Sequence, residues 1–198
     1  MNEPSQEPQF EPLSRVQVLI AMGVTAVMLL IVARIWLSFG NAALLPVRLD
    51  WLSAGLGVAL GLGITAASWI VYRLWEDYRN SADFYLNLVI RPLSVVDLIW
   101  LGLLPGMSEE LLFRGVMLPA FGLNWVGVAI SSLCFGVLHF SGSKQWPYVI
   151  WATVVGVILG IGAVETGNLL VPVVAHVTTN VVSSLIWKQG HGNISPVA

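Results

Sequence analysis

The sequence predicts an all-α protein, a polytopic bundle of about six transmembrane helices. Hydrophobic residues make up 57% of its 198 residues and charged residues only 10%, against about a quarter in a soluble domain. The apolar residues gather into runs of about 20, the length that carries a helix across a bilayer. Short segments marked by glycine, proline or charge separate the runs.

Residues 1–15 are polar and proline-rich, with Glu3, Pro4, Glu7 and Pro8, and are expected to form a disordered tail. They lack the basic start and early apolar core of a signal peptide. A first span covers 16–39 and a second 51–74, joined through Gly40, Asn41 and Pro46. Residues 73–91 are the most charged part of the chain, with Glu76, Asp77, Arg79 and Asp83, and read as a solvated or interfacial loop, helical in part. The N-terminal unit is thus 16–94, two spans and a charged loop. A core of four further segments occupies 95–187, at 95–119, 125–140, 146–164 and 169–187, and a polar tail follows at 188–198. Pro105 and Gly106 predict a kink or break within the third segment, because proline removes a backbone donor. Gly55, Gly57, Gly61 and Gly63, with Gly156, Gly160 and Gly162, are read as close helix-packing positions.

The formal net charge is −2 and the charges are scattered, so the basic footprint that nucleic acid requires is absent. Cys134 is the single cysteine, which excludes an internal disulfide and a multi-cysteine zinc site; it is expected to be a small buried core residue.

A charged group at bilayer depth costs roughly 2.5 kcal/mol or more, so ionisable residues inside apolar segments point to function. Three segments carry them: Glu109, Glu110 and Arg114 in the third, His139 in the fourth, His176 with Asn180 in the sixth. Glu110 and Arg114 stand four apart with the acid first, the favourable order for a helical ion pair. Glu109 points about 100° away around the helix and is left without an intrahelical partner. A helix starting anew after Pro105-Gly106 would also favour negative charge in its first turn. Phe135 and His139 share one helical face, as do His176 and Asn180. His191, in the polar tail, reads as solvated. A carboxylate and an imidazole can together deprotonate water and later protonate an amine, while an imidazole and an amide can donate to an oxyanion.

The sequences E-E-L-L-F-R at 109–114, F-G-V-L-H at 135–139 and H-V-T-T-N at 176–180 resemble the three motifs of the CPBP family. This family of CAAX-protease and bacteriocin-processing proteins, also called ABI, includes the eukaryotic endopeptidases that trim prenylated CAAX proteins. The resemblance covers roughly 95–187. It implies an intramembrane endopeptidase in which Glu109 activates water with help from His139. His176 and Asn180 would stabilise the oxyanion, and Glu110, Arg114 and Phe135 would support the site. The implied partners are a protein or peptide substrate in or at the membrane and the bilayer itself. The expected location is a bacterial cytoplasmic membrane, with an organellar or thylakoid-type membrane as the alternative. Family members have been labelled metalloproteases, and Glu109, His139 and His176 can supply three zinc ligands. A metal-free site gives every residue a role and is the preferred reading, with zinc as the alternative.

Two other functions fit the same residues: a non-proteolytic scaffold or stabilising factor of the same family, and a proton-coupled transporter using the acid and histidines as a relay. No inverted repeat favours the transporter. With six spans, six of the nine basic residues, Arg15, Arg73, Arg79, Arg91, Lys144 and Lys188, fall on one side and Arg34 and Arg48 on the other. Both termini are therefore expected in the cytoplasm. A reporter fused after Ala198 should be active only if its cytoplasmic form is the functional one; export of that reporter would overturn the orientation.

Overall fold

Capping side chains divide the chain into helices. The computed structural model describes residues 13–40 and 43–191, the side chain of His191 excepted. Helix α1 (Arg15–Phe39) starts at Ser14, whose hydroxyl accepts from the Gln17 amide while the Gln17 side chain accepts from the Ser14 amide. Helix α2 (Trp51–Leu74) starts at Asp50, which accepts from the Ser53 amide. Only Trp75 separates it from α3 (Glu76–Val89). Helix α4 (Asp97–Glu110) passes directly into a π-helical segment, Leu111–Met117, and on into the short α5 (Leu118–Phe121). Helix α6 (Trp125–Leu138) is capped by Asn124, which accepts from the Val126 and Gly127 amides. A 3-10 turn, Ser143–Gln145, leads into α7 (Trp146–Thr166). Gly167, at φ 56°, makes the left-handed turn that ends α7, and α8 (Leu170–His191) follows.

Most of the expected N-terminal tail, Asn41 of the first connection, the His191 side chain and residues 192–198 lie outside the described residues. Residues 188–191, assigned from sequence to the C-terminal tail, continue α8.

The distribution of polarity is the reverse of that in a water-soluble protein. Trp51, Val27, Met28 and Val137 are exposed, whereas Glu110, Arg114, Ser131, Ser132 and Asn168 are wholly buried. Such a surface suits lipid and a polar interior suits a membrane bundle, so the chain is an integral membrane protein. Helices α1, α2, α7 and α8 are long and apolar enough to cross a membrane. The continuous helical stretch 97–121 and α6 correspond to the other two expected segments. At 14 residues α6 spans about 21 Å, short of a hydrocarbon core of about 30 Å.

Helix α8 lies at the centre. A Cβ on Gly57 would sit 2.6 Å from Val174 Cβ, and one on Gly61 2.5 Å from the Ala175 carbonyl oxygen, so α2 and α8 run parallel with their backbones in close approach. Gly106 similarly admits Val177, and Gly102 admits Val181, which sets α4 antiparallel to α8. Polar ties close the two ends. At one, Arg15 pairs with Asp97 at 2.6 Å and Lys188 Nζ donates to the carbonyls of Ile90 and Leu93. At the other, buried Asn168 joins the Arg48 backbone, Ser53 and the Leu170 amide.

Four expectations are corrected. The helix runs through Pro105 without a break: proline costs one donor, while Gly102 and Gly106 let this helix pack closely on α8. Glu109 and Glu110 consequently lie inside a continuous helical stretch, where α4 passes into its π-helical segment, and do not begin a new helix. The charged segment 73–91 is mostly α3, with Glu76 and Asp77 in its first turn and Tyr78, Ser81 and Ala82 buried. Cys134 is exposed, because α6 buries the stripe Gly127, Val128, Ser131, Ser132, Phe135 and Gly136 and turns Cys134 outward. Gly55 and Gly63 face open space, so only Gly57 and Gly61 of the second span serve packing.

That contrast is testable. Gly61→Val should lower stability by about 1–3 kcal/mol, the usual cost of overpacking, whereas Gly63→Val should leave it unchanged. Thermal unfolding in detergent or nanodiscs measures both, and equal loss in the two variants would contradict the packing described.

Candidate active site in the bundle interior

Among the largest side chains removed from the surface is Arg114, on the π-helical segment. A buried guanidinium requires both a counter-charge and hydrogen-bond acceptors. Nη1 donates to Glu110 Oε1 at 2.7 Å, Nη2 donates to the Gly156 carbonyl at 2.9 Å, and the Phe135 ring lies 4.4 Å from the guanidinium carbon. Gly156 is open because any Cβ there would come within 3.1 Å of both Arg114 Nη2 and Ser132. Four segments of the chain therefore meet around one cation.

Glu110 Oε1 also lies 2.8 Å from His176 Nδ1. One carboxylate oxygen thus joins α8 to the Arg114 cluster. With Nδ1–H given to Glu110, the Nε2 atom of His176 remains for another partner. Besides Arg114, Phe135 meets both histidines: its ring centroid is 5.8 Å from that of His176, 4.8 Å from that of His139 and 5.5 Å from that of Phe113.

Glu109 has a different environment. It is buried, and its Oε2 has no hydrogen-bond partner among the described residues. The residue lines a cavity of about 210 Å³ between α1 and α4, whose other walls include Met22, Thr25, Ala26, Pro105 and Ser108. Its carboxylate is near enough to His176, Arg114 and Tyr148 to act on each electrostatically. Glu110 Oε2 is likewise buried without a partner, but Glu110 does not line the cavity.

His139 follows the last residue of α6 and caps that helix. Its Nδ1 lies 2.9 Å from the Phe135 carbonyl, which can only accept, so Nδ1 carries the hydrogen and Nε2 of the neutral ring holds a lone pair. Because α6 is short, its end need not reach the membrane surface, and His139 remains half-buried beside Phe135. Asn180 lies one turn beyond His176 on α8, half-buried. Its carbonyl accepts from Ser184 Oγ, while its side-chain amide has no partner among the described residues. The structure thus joins Glu110, Arg114, His176, Phe135 and His139 by direct contact and sets Glu109 within electrostatic reach.

The residue types of a zinc site are present, but their arrangement is not that of a ligand set. Among the described residues, no three His, Cys, Asp or Glu side chains are grouped to hold a metal ion. His176 Nδ1 is directed to Glu110 and His139 Nδ1 to a carbonyl.

Sequence reasoning missed two parts of this cluster. The His176–Glu110 bond spans 66 positions and has no local signature. Gly156 reads as one of several packing glycines, and only its carbonyl and its place opposite Ser132 distinguish it.

Fold and site define a membrane-embedded helical bundle with a buried glutamate, arginine and histidine cluster. Residues 91–182 are similar to the family described as "Type II CAAX prenyl endopeptidase Rce1-like", a match over a little less than half of the chain. The match nearly coincides with the 95–187 region carrying the three motifs. The chain is also 32% identical over 130 residues to "Uncharacterized protein YpbD" of Bacillus subtilis (strain 168), covering 65% of this chain and 64% of that protein. It is 30% identical over 131 residues to an "Uncharacterized 24.3 kDa protein" of Escherichia coli, covering 61% of this chain and 60% of that protein. The matches span less than two thirds of either relative. No solved structure gives a significant match.

The adjacent glutamates should separate in stability measurements. Glu110→Gln removes the counter-charge of a buried arginine, which costs about 3–5 kcal/mol when one partner of such a pair is lost. Glu109→Gln changes a group without a hydrogen-bond partner at its Oε2 and should shift the unfolding midpoint little. Comparable losses in the two variants would contradict the arrangement.

Proposed function

We propose that the chain is an intramembrane endopeptidase hydrolysing peptide bonds of membrane-associated proteins or peptides. The observation that carries the reading is the division between neighbouring glutamates. Glu110 is committed through Oε1 to Arg114 and His176, whereas Glu109 lines the cavity, which Glu110 does not. The similarity of residues 91–182 to an Rce1-like endopeptidase family supports the same class of reaction.

In the proposed mechanism Glu109 takes a proton from a water molecule, whose oxygen attacks the scissile carbonyl carbon. The lone pair on His139 Nε2, oriented by the Nδ1–H bond to Phe135, accepts a hydrogen bond from that water. His176 Nε2, protonated with Glu110 as counter-ion, and the Asn180 amide donate to the carbonyl oxygen as it gains charge. Glu109 then passes its proton to the leaving nitrogen as the carbon–nitrogen bond breaks. The apolar lining of the cavity suits a substrate segment that stays in contact with lipid. A bacterial cytoplasmic membrane, with both termini cytoplasmic, is the proposed setting.

Comparing membranes that carry the wild-type protein or Glu109→Gln by proteomic identification of protein termini tests this reading. Glu109-dependent termini should appear in the wild type and fall by at least about 100-fold in the variant, the lower end of what general-base catalysis contributes. Identical termini would favour a non-proteolytic scaffold. Purified enzyme is further expected to contain far less than one zinc per chain and to keep its activity after exhaustive chelation. Stoichiometric zinc, with activity lost on removal and regained on return, would show that the metal-free mechanism is wrong.

A further inference from the structure

His139 poses a structural problem that α6 does not solve by itself. It lies beyond the helix, where the last carbonyls have no intrahelical donor, and in a membrane protein such groups need partners from elsewhere in the fold. Its backbone, at φ −88° and ψ 7°, is outside the regular helical region. The bond from Nδ1 to Phe135 is local and orients the ring relative to α6 only.

The missing donor comes from α3. The Tyr85 hydroxyl donates to the His139 carbonyl, and Ser141 Oγ lies 2.7 Å from the same phenol oxygen, where it can donate in turn. The Tyr85 ring packs on Tyr148 of α7 with centroids 4.4 Å apart, and Tyr148 in turn lies 6.0 Å from the His139 ring. Tyr148 is itself stacked on Tyr78 of α3 at 6.2 Å and 7°. Tyr78 is buried and meets Trp151, while Trp75 meets Trp146, so several aromatic contacts hold α3 against the start of α7.

We propose that Tyr85 is a positioning residue for His139, so that α3 is a working part of the active site and not only a connection between spans. The inference rests on the endopeptidase reading above. Tyr85 acts through the histidine: it ties the backbone at the helix end, and Tyr148 limits the ring's movement on the other side. Releasing the hydroxyl lets the cap residue swing and separates His139 Nε2 from the water that Glu109 deprotonates. Substrate binding, at the cavity between α1 and α4, is left alone.

The test compares wild type, Tyr85→Phe and Glu109→Gln in lipid nanodiscs. The probe is a membrane-tethered quenched fluorescent peptide copied from a Glu109-dependent terminus. Tyr85→Phe should lower kcat at least about tenfold with KM unchanged within twofold, a split that a general loss of packing would not give. In a parallel measurement with isotope-labelled histidine, the magnetic-resonance signature of the Nδ1–H tautomer of His139 should be sharp in wild type and averaged in Tyr85→Phe. Wild-type kcat and an unaltered His139 signal in Tyr85→Phe, alongside an inactive Glu109→Gln, would overturn the role of Tyr85 while leaving the endopeptidase reading intact. An active Glu109→Gln would remove the reading itself. Should Tyr85→Phe fail to fold, Ser141→Ala replaces it, since it keeps the donor and frees only the phenol's second anchor; unchanged kcat and tautomer signal there would likewise overturn the proposal.

Discussion

A fully buried arginine in a lipid-facing bundle is the constraint on which the rest of the site depends. Arg114 cannot be left uncompensated, because an isolated cation away from water is far more costly than any packing contact is favourable. Its two terminal nitrogens and its face are matched from separate places, a carboxylate one turn earlier, a backbone carbonyl of α7 and an aromatic face of α6, while Nε has no hydrogen-bond partner among the described residues. Gly156 is open where its carbonyl must be reached, and Phe135 is held where it floors the guanidinium and meets both histidines. His176 joins through the same carboxylate oxygen, which brings α8 into register with α4. The polar cluster thus aligns four elements that apolar packing alone, with lipid outside and hydrocarbon inside, would leave free to slide.

Much of this was legible in the sequence because membranes make ionisable residues conspicuous. Glu110 and Arg114 announced their pairing by spacing, and His139 and His176 stood out against apolar surroundings. The turn relation of Phe135 with His139 placed both on one side of α6. Other features left no trace in local pattern. Residues 111–117 have ordinary helix-forming composition, and only the structure shows the π-helical winding in which the Leu118 amide reaches back to the Phe113 carbonyl. Pro105 suggested a break because intrahelical hydrogen bonding was the only term the sequence exposed; contact with α8 through Gly102 and Gly106 outweighs it. The charged residues of 73–91 pointed to a loop only partly helical and hid the extent of α3, whose aromatic face is buried on α7. Cys134 was misplaced because an apolar run in a membrane helix does not say which face meets lipid.

The site separates two tasks that one residue type performs. Glu110 carries structural charge, shared between an arginine and a histidine, and is closed off from the cavity. Glu109, the next residue, lines the cavity, where the proposed mechanism places the water molecule and the substrate segment. The helix supplies this division at no extra cost, since consecutive residues differ by about 100° in direction. His139 completes the arrangement from the end of a helix too short to span the bilayer, and so depends on partners in other helices. The fold thus draws the residues of the proposed chemistry from regions far apart in sequence.

The central claim, that the Arg114 charge and its Glu110 partner act as one unit organising the site, is tested most directly by a double-mutant cycle. Glu110→Gln, Arg114→Met and the double variant are compared with wild type by equilibrium unfolding in lipid nanodiscs. The account predicts strong coupling: each single change leaves a buried group unpaired, and the double variant is more stable than the sum of the single losses by roughly 1–3 kcal/mol. Additive losses, with no coupling beyond error, would contradict it.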